Sequence, residues 1–206
     1  MSKCKVLIII VGIYDGGQER SALTLIEGLL SAGYQVGLIT IKRQIETSAL
    51  LPKGLEVYSC IDAEERIQIN LFRIIKNINQ MVRRYDVVIG GTDLDANYLA
   101  AIAKLVTGKP AVGWLHTHYE SFATKISLVQ RILIGLLYPV MNKLVIVHGQ
   151  SISGFKPLRR IPEGKTYVIP PPPHAKYLEQ LEKRAEEYSI ENVLPKWQEL
   201  LGELLH

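Results

Sequence analysis

The sequence predicts an α/β fold in which helices cover both faces of a parallel β-sheet. Short apolar runs alternate with longer segments whose apolar residues recur at helical spacing. A pair of glycines stands between the first apolar run and the first helical segment. The chain has 206 residues, of which 48% are hydrophobic and 21% are charged, so it can bury one substantial core. Strands that alternate with helices along a chain usually pair in parallel, with helices on both faces.

The first three elements make a complete βαβ unit. Residues 5–11 are a continuous apolar run, which is typical of a buried strand in a parallel sheet. The helix that follows is predicted to begin near Ser21 and to end at Gly33, and residues 35–41 form the next strand. The apolar positions of this helix are Leu23, Ile26, Leu29 and Leu30.

Strands and helices continue to alternate up to residue 115. Further strands are predicted at residues 55–59, 86–89 and 110–115, and helices at residues 69–84 and 98–106. Gly108 ends the second of these helices. One Rossmann-like domain is therefore expected, with a ligand edge at the carboxyl ends of its parallel strands.

The amino-acid composition limits the classes of molecule that the protein is expected to bind. The excess of Lys and Arg over Asp and Glu gives a net charge of +4 and a pI near 9.0, which suits an anionic substrate or a membrane surface. No basic stripe interleaved with aromatic residues is present, so no nucleic-acid partner is expected. The first apolar run is too short for a signal peptide and is followed at once by charged residues. We therefore expect a cytoplasmic protein.

The cysteine and histidine patterns favour no metal or redox centre. Cys4 and Cys60 do not form a C-x-x-C pair, so two reduced thiols are expected. His116, His118 and Glu120 alternate along one extended segment, but such a segment offers no fixed cage for a metal ion. The sequence therefore predicts no metal and no cofactor.

The glycine pair marks a candidate binding site. Gly16 and Gly17 would let a ligand approach the backbone closely, and the free N–H groups at the start of the helix would point at a phosphate. Glu19 and Arg20 follow within the same turn as possible contacts in a cleft. The fingerprint G-x-G-x-x-G is absent, and a tight turn without a ligand can use the same glycines. We predict that Gly16 and Gly17 bind the phosphate end of a ligand.

A second candidate site follows the later strands. The fourth strand runs into Thr92 and Asp93, and the fifth delivers His116 and His118. Because the carboxyl ends of parallel strands meet at one edge, these loops and the Gly16 loop are predicted to face one another. A histidine there can donate a hydrogen bond to a sugar hydroxyl or to a developing charge. The alternative is that it caps a strand or satisfies a buried backbone carbonyl.

Four segments of the chain resemble family 4 retaining glycosyltransferases, which have the two-domain GT-B fold. Residues 5–40 resemble the opening of that family, including its Gly-Gly-x-Glu-Arg sequence at the start of a helix. Residues 114–122, WLHTHYESF, resemble its histidine loop. Residues 144–147 and 161–170 resemble the closing strand pair of its N-terminal domain. The resemblance implies the N-terminal half of a GT-B enzyme.

The resemblance also implies an activity. Such enzymes transfer a sugar from a nucleotide-sugar donor to an acceptor with retention at the anomeric carbon. Gly16 and Gly17 would approach the donor phosphates, and His116 would be the catalytic residue that contacts the transferred sugar. The N-terminal domain would hold the acceptor, a carbohydrate or a lipid-linked one. No metal is implied, because a helix dipole and basic side chains stabilise the diphosphate leaving group.

The C-terminal part departs from the family pattern. Residues 170–173 are four prolines at the point where such chains continue into a second, donor-binding domain. Residues 177–205 are charged and helical, and they resemble the last helix of the family, which packs back on the N-terminal domain. We therefore predict an acceptor-side domain at 1–173, a helical segment at 174–206 and no turnover without the donor domain. The alternative is a proline-stiffened linker with an unrelated amphipathic tail.

Two further questions stay open at the level of sequence. The apolar segment at residues 125–143 predicts either an interfacial helix on the inner face of a membrane or a buried core helix. A basic helix adds attraction to anionic headgroups through Arg73, Lys76, Arg83 and Arg84. A stand-alone Rossmann-like module for a nucleotide or phosphorylated ligand, and a fragment of a GT-B sugar epimerase, are the alternative functions.

Overall fold

Seven strands form one parallel sheet in the part of the chain that the structure describes. The computed structural model describes residues 3–14, 16–43, 51–52, 54–117, 126–147, 161, 163–171 and 188–205. The strands are β1 (Lys5–Ile10), β2 (Gln35–Lys42), β3 (Glu56–Ile61), β4 (Val87–Gly90), β5 (Ala111–Leu115), β6 (Lys143–Ile146) and β7 (Thr166–Val168). Their order is β3-β2-β1-β4-β5-β6-β7, and every neighbouring pair is parallel. The predicted Rossmann-like fold is confirmed.

The strand order creates a crevice beside β1. The chain moves outward from β1 through β2 to β3, and then returns to the other side of β1 with β4. Loops that follow β1 and β4 therefore leave the sheet in opposite directions and open a crevice at their carboxyl ends. β1 can hold this central position because every residue after Lys5 is apolar and buried.

In the part of the chain that the structure describes, five α-helices cover the two faces of the sheet. They are α1 (Gly17–Ser31), α2 (Leu71–Val82), α3 (Asp95–Thr107), α4 (Leu128–Leu137) and α5 (Ile190–Leu205). Alternate residues of β1 point to opposite faces: Val6, Ile8 and Ile10 pack with α1 and α5, whereas Leu7 and Ile9 pack with α2 and α3. A third apolar cluster joins α3, α4 and β6.

Two helices begin earlier than the apolar periodicity predicts. α1 begins at Gly17 instead of near Ser21, and α3 begins at Asp95 instead of at residue 98. In α1, Gly16 is extended (φ −93°, ψ 156°) as the N-cap, and the Arg20 N–H donates to its carbonyl at 3.1 Å. The first turns are polar, so a pattern based on buried residues does not detect them.

The last helix packs back on the domain, as predicted. Trp197 and its apolar neighbours on α5 are buried in the same cluster as α1 and β1. At the far end of α5, the Glu203 carboxylate accepts from Lys143 Nζ at 2.6 Å and also from the Tyr167 hydroxyl. Residues 172–187 lie outside the described residues, so the predicted boundary at 173 stays a prediction.

α4 exposes most of its apolar residues, so of the two alternatives raised from the sequence, the buried core helix is wrong. Ser127 and Gln130 form a capping box that fixes its start, and Ile134 is its one fully buried residue. The side chains that we call the α4 surface are 52–74% exposed: Leu128, Val129, Ile132 and Leu136. Among the described helices, none has the length and apolar character that a membrane-spanning segment needs.

Candidate functional site

Three loops meet at the carboxyl edge of the sheet and are joined by hydrogen bonds. Gln18, in the first turn of α1, donates from Nε2 to Asp93 Oδ2 at 2.8 Å, and its Oε1 accepts the Asp93 N–H at 3.0 Å. Gln18 Nε2 also lies 3.4 Å from Thr117 Oγ1 in the loop after β5. The glycine loop, the Asp93 loop and the histidine loop therefore face one another, as the common strand direction predicts.

Asp93 is the centre of this network. Its Oδ1 accepts the backbone N–H of His116 at 3.0 Å, and its Oδ2 accepts from Gln18 and from the Thr117 hydroxyl. Three donors from two other loops thus converge on one carboxylate, and such charge-assisted bonds are stronger than neutral ones. Asp93 therefore holds the site together, and its predicted contact with a ligand stays a prediction.

The His116 ring is oriented by two contacts. Its Nε2 lies 3.0 Å from the Gly91 carbonyl oxygen, and its centroid lies 4.3 Å from that of the Trp114 ring at a 37° tilt. Because a carbonyl oxygen can only accept, Nε2 carries the proton and Nδ1 is the acceptor of the ring. The alternative raised from the sequence, a histidine that satisfies a backbone carbonyl, is therefore part of the observed geometry.

The His116 ring is neutral near pH 7. Burial lowers the pKa of His116, while the charge of Asp93 and the hydrogen bond to Gly91 act in the opposite direction. A neutral ring with an occupied Nε2–H can accept a proton or a hydrogen bond at Nδ1, but it cannot donate from that atom.

Asn97 is a residue of the site that the sequence analysis missed. It is fully buried, its Oδ1 accepts the Trp114 N–H at 3.0 Å, and its Nδ2 donates to the Trp114 carbonyl at 3.1 Å. β4 pairs with β5 only up to Gly90 and Gly113, so Asn97 replaces the missing strand partner one residue later. The signal was a lone amide within the apolar sequence of α3, since a buried amide needs partners.

The loop between β4 and α3 is strained and braced. Leu94 has φ 59° and ψ −97°, and it is the one described non-glycine residue with positive φ. Such a conformation costs about 1–3 kcal/mol and persists where the surroundings hold it. Here Gln18 holds Asp93 on one side, and the Tyr98 N–H donates to the Leu94 carbonyl at 2.8 Å on the other. The loop is thus shaped before any ligand arrives.

The glycine pair lies at the start of α1, but the two glycines differ. A Cβ at Gly17 would meet nothing within 4 Å, whereas a Cβ at Gly16 would meet the carboxylate of Glu19. Glu19 is the acidic residue of the first turn, where a negative charge is favourable. The helix N-terminus is therefore open at Gly17 and covered by a carboxylate at Gly16. Arg20, the predicted basic neighbour, lies in the same turn.

The remaining predicted residues are not all accessible. Thr92 is 2% exposed, and its buried hydroxyl has no hydrogen-bond partner in the described part of the chain. Its predicted contact in the cleft stays a prediction. His118 lies outside the described residues, so its role stays a prediction. Among the described residues no group of three His, Cys, Asp or Glu side chains has the arrangement of a metal site.

A groove lies at the opposite, amino edge of the sheet. It has a volume of about 580 Å³ and lies beside the starts of the first three strands. Its charged lining residues are Lys5, Glu56 and Arg84. None of the predicted site residues lines it.

Comparison with known proteins identifies the relatives of this chain. The family model described as Glycosyltransferase Family 4 matches residues 15–173. No sequence of a curated protein matches the chain. The matched range begins beside the glycine loop and contains the whole hydrogen-bonded network at the carboxyl edge.

Solved structures share the fold at low sequence identity. The Anabaena protein HepE in complex with UDP and glucose matches with a TM-score of 0.65 and 18% identity, over 87% of this chain and 50% of HepE. A glycosyltransferase from Rickettsia africae matches with a TM-score of 0.58 and 16% identity, over 91% of this chain and 50% of that one. A putative UDP-N-acetylglucosamine 2-epimerase from Listeria monocytogenes matches with a TM-score of 0.57 and 14% identity, over 88% of this chain and 52% of that one. The chain therefore spans about half the length of these proteins.

Proposed function

Because this chain belongs to glycosyltransferase family 4, we propose that it is the N-terminal, acceptor-side domain of an enzyme that transfers a sugar from a nucleotide-sugar donor with retention. One observation carries the proposal: a hydrogen-bonded network at the carboxyl edge joins the start of α1 to the His116 loop. This places a helix N-terminus and a neutral histidine at the crevice where open α/β sheets hold their ligands.

The start of α1 would bind the donor diphosphate. Gly17 leaves open space at the helix N-terminus, so phosphate oxygens can approach the backbone N–H groups there. The Glu19 carboxylate covers Gly16 and must rotate away, because two negative charges cannot share that position. The helix dipole would stabilise the charge that develops on the leaving diphosphate.

His116 would contact the transferred sugar as a hydrogen-bond acceptor. Its Nε2–H already donates to the Gly91 carbonyl, which leaves Nδ1 to accept from a sugar hydroxyl. Because burial lowers the pKa of the ring, this interaction needs no deprotonation near neutral pH. Asp93 and Gln18 would act as positioning residues that fix the loop on which His116 lies.

The nucleoside of the donor would bind in a second domain. HepE has been crystallised with UDP and with UDP-glucose, and this chain covers 50% of that protein. A UDP-sugar is therefore the first donor to test. The chain by itself would bind such a donor weakly and would not turn it over, because transfer needs both reactants held in one preorganised site.

An NMR titration of this chain with UDP-glucose tests the proposal. We expect weak binding, with backbone amide shifts concentrated at Gly17, Gln18, Asp93 and His116. The control variant Arg84→Gln, in the groove at the amino edge, should leave these shifts unchanged. Shifts confined to that groove, or none at millimolar donor, would contradict the assignment. Tight binding of the nucleotide alone would instead favour a self-sufficient binding module.

Retention needs a separate test in any longer natural chain that contains this domain. The anomeric configuration of the product, measured by NMR during the first turnovers, should match that of the donor. Inversion would contradict the retaining mechanism. An epimerised free sugar nucleotide, formed without an acceptor, would favour the epimerase alternative.

The α4 surface suggests that the acceptor is presented at a membrane. It displays four large apolar side chains on one short helix, and Arg131 lies on the same helix. A helix with such an exposed apolar face gains free energy when that face enters the headgroup region. We place a lipid-linked acceptor, and contact with the inner face of a membrane, among the proposed partners.

Vesicle sedimentation tests this contact. Binding to vesicles that contain phosphatidylglycerol should fall in the double variant Leu128→Ser, Ile132→Ser. The matched control is Leu105→Ser, Val106→Ser, which removes two apolar side chains of similar exposure from the end of α3. Equal loss in both variants, or no binding by the original chain, would contradict a specific role of the α4 surface.

A further inference from the structure

Three aromatic rings connect the last helix to the candidate site. Trp197 on α5 meets Trp114 on β5 in an edge-to-face contact, with ring centroids 4.9 Å apart and planes at 68°. The centroid of the Trp114 ring in turn lies 4.3 Å from that of the His116 ring. Both indoles are fully buried. The rings of Trp197, Trp114 and His116, which we call the aromatic stack, thus run from the core beneath α5 to the crevice.

α5 is anchored along its whole length. At its start Ile190 packs on α1 so closely that a Cβ at Gly28 would meet it at 3.0 Å. At its end Glu203 is paired with Lys143 at 2.6 Å. Between them Trp197 is 0% exposed. The position of the Trp197 ring is therefore fixed by contacts made far from the crevice.

The backbone and the ring of His116 are held by different partners. Asp93 holds its backbone N–H, and Asn97 holds both backbone groups of Trp114. These bonds fix the path of the chain but make no contact with the two side chains. The His116 ring is held by the Gly91 carbonyl and the Trp114 ring, and the Trp114 ring packs against Trp197 within a cluster of buried apolar side chains.

We propose that Trp197 is a positioning residue: through the edge-to-face contact with Trp114, α5 holds the His116 ring in the orientation that the site uses. The proposal rests on the proposed function in one respect, which is that His116 contacts the sugar. The contact from α5 through Trp197 and Trp114 to the His116 ring does not depend on that function. It predicts that a change in the core beneath α5 alters the environment of a histidine at the crevice.

The chain offers a direct optical probe of this link. Trp114 and Trp197 are its two tryptophans, so any substitution of Trp197 leaves Trp114 as the single one. A protonated imidazole quenches the fluorescence of an indole in contact with it. The fluorescence of Trp114 against pH therefore reports the protonation of His116. Among the described residues, Asp93 is the charged group that acts on this ring; Gln18 and Thr117 from the facing loops carry no charge.

Two single-tryptophan variants form a matched pair. Trp197→Phe keeps an aromatic edge against Trp114 and removes an indole N–H that has no acceptor among the described residues. Trp197→Leu keeps an apolar side chain but removes the edge contact. We expect a low quenching midpoint in Trp197→Phe, because His116 stays buried. In Trp197→Leu the midpoint should rise by about one pH unit, since water reaches the ring.

Controls assign the transition and check the fold. Adding His116→Gln to either variant should abolish the quenching transition. Circular dichroism should show the same helix content in both variants at neutral pH. Equal midpoints in two folded variants would overturn the proposal. The experiment needs neither nucleotide nor sugar, so its failure leaves the proposed function to be decided by the UDP-glucose titration.

A measurement on the unchanged chain covers the case in which Trp197→Leu does not fold. The Trp114 ring current should displace the carbon-bound imidazole protons of His116 upfield from their unfolded-chain positions. Trp197→Phe should keep that displacement. Unfolded-chain positions in the original protein would show that the aromatic stack does not form, and this also overturns the proposal.

Discussion

The two edges of the sheet differ in what their polar groups do. At the carboxyl edge Gln18, Asp93, Thr117 and the backbone of His116 are bonded to one another across three loops. At the amino edge lies the groove of about 580 Å³. This groove is thus separate from the candidate site. The candidate site lies where strand direction and the reversal of strand order beside β1 predict a ligand.

The cations at the amino edge have a structural explanation. Helices that precede parallel strands end at this edge with unpaired carbonyl groups and a partial negative charge. Lys3 Nζ donates to the Ala32 carbonyl and so stabilises the end of α1, whereas Arg84, which follows the end of α2, donates from Nη1 to the Tyr58 hydroxyl at 3.4 Å. The carboxyl edge instead presents helix starts, which attract anions.

Among the substitutions at the carboxyl edge, Asn97→Ala should lower the free energy of unfolding the most. It would leave the N–H and carbonyl of Trp114 buried without partners, and each unsatisfied group costs about 1–3 kcal/mol. We expect the free energy of unfolding to fall by about 3 kcal/mol in urea denaturation. The control Gln35→Ala, exposed at the amino edge, should change it by less than about 0.5 kcal/mol. Similar effects of both changes would remove the contrast between the edges.

Gly90→Ala tests the packing beneath the site. A Cβ at Gly90 would meet the backbone of Asn97, with Cα at 2.8 Å and N at 2.9 Å, and backbone atoms cannot rotate away. We expect a loss of about 2 kcal/mol of stability, typical of overpacking in a core. Gly164→Ala, with open space around its Cβ position, is the control and should be nearly neutral in the same melt. A neutral Gly90→Ala would show that α3 can shift away from β4.

The fold could be predicted because its signals are local and repeated. The alternation of apolar runs with helical periodicity fixed the order of the elements from β1 to β5, and the glycines at 33 and 108 marked helix ends. The exposure of α4 could not be predicted in the same way. A helix that is apolar nearly all round fits a core or an interface equally well, and only its neighbours decide.

The candidate site was predictable only in outline. Strand direction brings the three loops together, and this needs no knowledge of side chains. The partners of Asp93, the bond from His116 to Gly91 and the burial of Thr92 depend on rotamers and on the approach of α3 to β4. The contact between Trp114 and Trp197 could not be predicted from spacing, because the two residues lie far apart in the sequence.

The burial of His116 should make stability depend on pH. Its folded pKa lies below the ordinary value of about 6.5, so below that pH the unfolded chain binds more protons. Stability is therefore complete above about pH 6.5 and is lost as the pH falls towards the folded pKa. His116→Gln should make the loss of stability between pH 7.5 and pH 5.5 in urea titrations shallower. Parallel profiles for the original chain and His116→Gln would contradict this role.

Substitutions of Gly17 should weaken donor binding at the carboxyl edge without lowering the stability of the fold. Its Cβ position is open, and alanine is a better helix former than glycine, so Gly17→Ala should raise the free energy of unfolding by up to about 0.5 kcal/mol. The added methyl group lies where phosphate oxygens would approach, and Gly17→Val fills that space further. We therefore expect the amide shifts that UDP-glucose induces at Asp93 and His116 to be largest in the original chain, smaller in Gly17→Ala and smallest in Gly17→Val. The melting temperature should not fall in that order. Gln35→Val, at the amino edge, is the matched control and should leave the titration unchanged. Undiminished binding by Gly17→Val would mean that the start of α1 does not hold the phosphates.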